Sequence, residues 1–136
     1  MKDWLLPTFG ALFLWGLWSF IPKIAITYIT PKVALLFEVL GASVVAIFVF
    51  ITTGFRLDFD LIGATLSFLT GIFGTLGVLL FFKAISKGPV SLITVISSLY
   101  PIITVILAFL FLKESISLRQ VLGIIFGIFA VYLITV

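Results

Sequence analysis

Residues Val33–Thr53 read VALLFEVLGASVVAIFVFITT, and the length of that run decides the fold. A helix rising about 1.5 Å per residue crosses the roughly 30 Å hydrocarbon core of a bilayer in about 20 residues, with every backbone polar group satisfied inside the segment. The stretch holds one charge, Glu38, and reads as a spanning helix. The flanking sequence repeats the pattern. Upstream, the run from Trp4 to Pro22 passes Lys23 and continues to about Tyr28; downstream, Leu61 to Phe82 and Gly88 to Leu112 carry no charge, and a last run starts after Arg119. The apolar run after Lys2 lacks the small-residue cleavage site of a secretory signal and reads as a mature span. The expectation is an all-α integral membrane protein, with five transmembrane helices forming one domain over residues 1–136.

The joints between the runs are short and rich in turn-formers: Thr30-Pro31-Lys32, Thr53-Gly54-Phe55-Arg56-Leu57-Asp58, Lys87-Gly88-Pro89 and Lys113-Glu114-Ser115. Pro31 and Pro89 suit helix starts, where the missing N–H costs nothing. Asp58, Asp60 and Glu114 read as solvated loop charges. Composition agrees: 63% of residues are hydrophobic and 10% charged, where a soluble domain carries roughly a quarter charged residues. The net charge of +3 would suggest a nucleic-acid partner only if the basic residues clustered on a water-facing patch, and they instead punctuate apolar runs. The absence of Cys and His excludes thiol catalysis, His acid–base chemistry and the usual zinc sites, so neither an enzyme nor a metal or other cofactor is expected.

Five spans place the two termini on opposite sides, and a Lys/Arg excess on one side normally sets which is cytoplasmic. Here Lys2, Arg56, Lys113 and Arg119 fall on one side and Lys23, Lys32, Lys83 and Lys87 on the other. The balance predicts insertion in both orientations and an antiparallel homodimer. The competing expectation is that charge near the N-terminus dominates and gives one orientation, with a paralogous partner completing the assembly.

Phe81-Phe82-Lys83-Ala84-Ile85-Ser86-Lys87-Gly88-Pro89-Val90-Ser91, then Ser97-Ser98-Leu99-Tyr100-Pro101, then Phe111-Leu112-Lys113-Glu114-Ser115 together resemble the EamA-type domain of the drug/metabolite transporter superfamily. Trp15-Gly16-Leu17-Trp18-Ser19-Phe20 and Lys23 are similar to that domain's opening helix. The resemblance covers nearly the whole chain. It implies five helices per domain and transport of small metabolites or drug-like molecules. Members commonly carry two such domains as inverted repeats; this chain has one, which would make it half of an inverted-repeat transporter.

Glu38 is the sharpest chemical signal, since it lies roughly 9 Å into its span beyond Lys32. A carboxylate at that depth must be protonated, paired or facing a water-filled cavity, which makes it a candidate for proton coupling or for holding a cationic substrate; the structural alternative is pairing with Lys83. Lys83 and Lys87, at i and i+4, either snorkel to headgroups or capture an anionic group. Ser91, Thr94 and Ser98 put hydroxyls on one stripe of the fourth span, and Tyr100 adds another at the same depth. Pro101 cannot donate to the Ser97 carbonyl, nor Pro22 to that of Trp18, so both are candidate helix kinks. Trp15 and Trp18, three apart, either stack on a ligand or fill a helix interface. Small residues from Gly63 through Gly77, and the Gly123/Gly127 pair, would allow close backbone approach in the bundle or a dimer.

The expected substrate-binding set is Trp15, Trp18, Ser19, Glu38, Lys83, Thr94, Ser98 and Tyr100, serving alternating access in a multi-pass protein of the cell membrane. Two other functions fit the same residues: a lipid flippase, opening toward the bilayer, and a non-transporting assembly subunit with a dry hydroxyl stripe.

Overall fold

A computed structural model describes residues 3–56 and 59–135. Lys2, counted above among the side-setting cations, and Asp58, read as a loop charge, lie outside the described residues. The elements in chain order are α1 (Leu5–Ala25), α2 (Pro31–Thr52), α3 (Leu61–Ile85), α4 (Val90–Ser97), α5 (Tyr100–Phe111) and α6 (Leu118–Thr135). No strand occurs among the described residues, and five helical stretches, Val90–Phe111 counting as one, are long and apolar enough to cross a membrane. The protein is an all-α integral membrane protein.

Local chemistry sets the boundaries. Thr30 caps α2 through Val33 N–H with Pro31 opening the helix, and Asp60 caps α3 by accepting from Gly63 N–H at 2.7 Å; a short polar side chain there satisfies one of the orphan donors of a first turn. Asp60 is therefore a structural cap as well as a loop charge. α2 ends in a Schellman turn, with Phe55 N–H on Phe50 O, Gly54 N–H on Ile51 O, and the Phe50 and Phe55 rings edge to face at 5.0 Å. Gly54 sits at φ +63°, where a side chain would be strained.

Two of the five spans differ from expectation in where their helices start and stop. The fourth is two helices: α4 stops at Ser97 and α5 starts at Tyr100 with Pro101 in its first turn. Ser98 and Leu99 form a tight turn, with Leu99 N–H on Ile96 O and Ile102 N–H on Leu99 O, where Pro101 has no N–H for Ser97. Pro22, by contrast, is carried inside a continuous α1. The last span starts at Leu118, before Arg119, because Ser117 and Gln120 form a capping box: Gln120 N–H donates to Ser117 Oγ, and Ser117 N–H to Gln120 Oε1.

The chain divides into two compact units, Met1–Lys87 and Gly88–Val136. In the first, α3 packs on both α2 and α1. Its buried apolar residues, Ala34, Phe81, Phe82 and Ile85, are joined by buried Pro22, so the core gathers at the C-terminal end of α3. In the second, α4 packs on α6. Most other large apolar side chains of both units, from Leu6 to Ile134, are exposed, as suits a surface solvated by lipid rather than water. No neighbour approaches within 4 Å of a Cβ built at Gly71, Gly74, Gly77, Gly123 or Gly127. Among the described residues, neither unit by itself shows the expected close approach at these glycines.

Candidate functional site

α1 and α2 bring together two residues twenty apart in sequence. The Trp18 indole Nε1–H donates to Glu38 Oε1 at 2.8 Å, and the same ring stacks on Phe81 of α3 with centroids 5.6 Å apart and planes 19° from parallel. Phe81 in turn leans on Phe82 at 6.4 Å. The other carboxylate oxygen, Glu38 Oε2, is enclosed and has no hydrogen-bond partner. A carboxylate oxygen is an acceptor, so Oε2 presents an unused acceptor inside a span. The partners that answer one there are a proton or a donor group, a cation foremost.

Lys83 does not pair with Glu38. It is exposed at the end of α3, while Trp18 takes the Glu38 contact. At about 100° per residue, Lys83 lies roughly 200° round the helix from Phe81, so burying the Phe81, Phe82 and Ile85 side turns Lys83 away. Ser19 is half-buried and donates back to Gly16 O at 3.0 Å, within its own helix. Trp15, one turn before Trp18, is 61% exposed.

Thr94, Ser98 and Tyr100 belong to the second unit. Thr94 is half-buried and Tyr100 exposed, and Ser98 Oγ donates to Val95 O at 2.7 Å beside the α4–α5 break. A crevice of about 420 Å³ in this unit is lined by Thr104, Ala108, Glu114, Ser115 and Gln120 among others. The hydroxyl stripe does not line it; Glu114, expected as a solvated loop charge, does.

The sequence reading missed two residues. Phe81 supplies the surface on which Trp18 rests, and Lys23 Nζ donates to the Ile85 carbonyl. Both stand inside the motifs quoted above, and nothing in their spacing distinguishes them from packing or snorkelling residues.

Fold and site together define a multi-pass helical membrane protein with a carboxylate–indole pair inside its spans. The profile of the EamA-like transporter family matches residues 3–136, and the chain belongs to that family, whose members are transporters rather than enzymes. It is also similar to the uncharacterized protein MJ1333.1 of Methanocaldococcus jannaschii, with 36% identity over 72 residues, covering 53% of each chain. The match thus spans about half the length of that relative. No solved structure matches the chain.

Proposed function

We propose that this chain is one five-helix domain, acting as a transporter subunit for small metabolites or drug-like molecules, with two opposed copies in the cell membrane forming an alternating-access pair around Glu38. The observation that carries the reading is the Glu38 carboxylate: one oxygen is held by Trp18, and the other is enclosed without a partner. A group fixed at one oxygen and unpartnered at the other suits exchange of a proton or a cationic substrate without losing its place, and intramembrane carboxylates commonly serve ion and proton paths. Family membership supports transport, and the four-against-four Lys/Arg balance supports opposed insertion. Inverted copies rocking about a shared site would supply the two access states.

The test is uptake into proteoliposomes under an imposed pH gradient, with labelled amino acids, nucleosides and organic amines as probes. Glu38→Gln keeps an acceptor for Trp18 and removes the titrating group, so gradient-driven uptake should fall to the level of empty vesicles. Coupling that survives in Glu38→Gln removes Glu38 from the proton path.

A further inference from the structure

The last four carbonyls of a helix have no intrahelical partner, and at the end of α3 each has found one. Ser86 N–H donates to Phe82 O at 3.1 Å, Ser86 Oγ to Lys83 O at 2.8 Å, and Lys87 N–H to Ala84 O at 3.0 Å. These three are local. The fourth, on Ile85, belongs to a residue with 0% exposure, and its donor is Lys23 Nζ, from α1. The ammonium also meets the negative end of the helix dipole, which favours a cation there.

This tie has a consequence for the site. Lys23 follows Trp18 by five residues on α1, and Ile85 follows Phe81 by four on α3. The two helices therefore run in parallel and are joined at two levels roughly 7 Å apart. Between the levels stands Pro22, buried, with no N–H for the Trp18 carbonyl. The turn linking the levels therefore lacks one backbone hydrogen bond, and the Lys23–Ile85 tie adds a constraint at that turn.

We propose that Lys23 is a positioning residue: by capping Ile85 it fixes α1 against α3 so that the Trp18 indole lies on Phe81 with its N–H on Glu38. This rests on the reading of Glu38 and Trp18 as the site. It assigns Lys23 a part in orienting the carboxylate's donor, without contact to substrate.

Spectroscopy tests it without a known substrate. Replacing Trp4 and Trp15 by Phe leaves Trp18 as the only indole, and its emission reports whether the N–H faces a carboxylate or an amide. In this background Glu38→Gln should shift the emission. The shift should persist with Lys23→Arg, which keeps a charged donor, and vanish with Lys23→Met, which has none. Ser86→Ala removes another cap from the same helix end without touching α1, and should keep the shift. A full shift in Lys23→Met overturns the proposal; so does its loss in Ser86→Ala, which would reduce Lys23 to one cap among several. No shift in the parent overturns it at its premise. If Lys23→Met does not fold, Lys23→Gln serves: a reduced shift supports the proposal and an unchanged one overturns it. Failed uptake alongside the expected emission pattern would sink the transport reading and leave the positioning role standing.

Discussion

Trp18 makes two contacts of different character, a stack on Phe81 and a hydrogen bond to Glu38. They are separable by substitution. Trp18→Phe keeps a ring for Phe81 but removes the N–H, leaving Glu38 without its indole donor. Hydrogen bonds between membrane helices average about 0.6 kcal/mol and reach about 1.7, so unfolding in mixed micelles should show a loss in that range. No loss would mean that the stack alone holds α1 in place. Glu38 was legible as a residue needing an answer, because a carboxylate in lipid is costly wherever it sits. Its partner was not, since an ammonium and an indole answer an oxygen equally well on paper. Burial of the Phe81, Phe82 and Ile85 side of α3 turned Lys83 away and left Trp18 in reach.

At the scale of elements, proline positions were readable but their outcomes were not. Pro22 and Pro101 lack the same donor, yet α1 continues through Pro22 while the fourth span breaks before Pro101. Pro22 is buried on the packed side of α1, where neighbours hold the helix together; the residues round Pro101, from Ile96 to Tyr100, are largely exposed, and the chain resets there through a turn. Pro101→Ala restores a donor for Ser97 and should fuse α4 with α5. Hydrogen exchange would detect this as new protection at residue 101 and slower exchange at Ile102; unchanged exchange would mean that the break is imposed by packing. The start of α6 is legible in the sequence, where Ser117 and Gln120 spell a capping box, although Arg119 looks like a border. A cation in a first helical turn at the membrane edge has water and headgroups to reach, so it does not end a span.

At the scale of the molecule, orientation in the bilayer decides the assembly, and the absence of cysteine makes it measurable. Ser115 is exposed in the joint between α5 and α6. Ser115→Cys, expressed in intact cells and treated with a thiol reagent that does not cross membranes, should label about half the molecules, with the remainder reacting only after lysis, because equal Lys/Arg counts leave insertion unbiased. All-or-none labelling would establish a single orientation, and the chain would then need an inverted paralogous partner or would not transport alone. That this chain is helical, crosses the membrane five times and carries one acid its surroundings must accommodate is written in its sequence alone. Those are properties of runs, and a bilayer imposes its length and its hydrogen-bonding demand on each run separately. The tertiary structure alone decided that Trp18 answers Glu38, that Phe81 supports the indole, and that Lys23 completes the end of α3. Each of these joins two different helices, and which side chains meet there depends on how the helices pack, which no local pattern encodes.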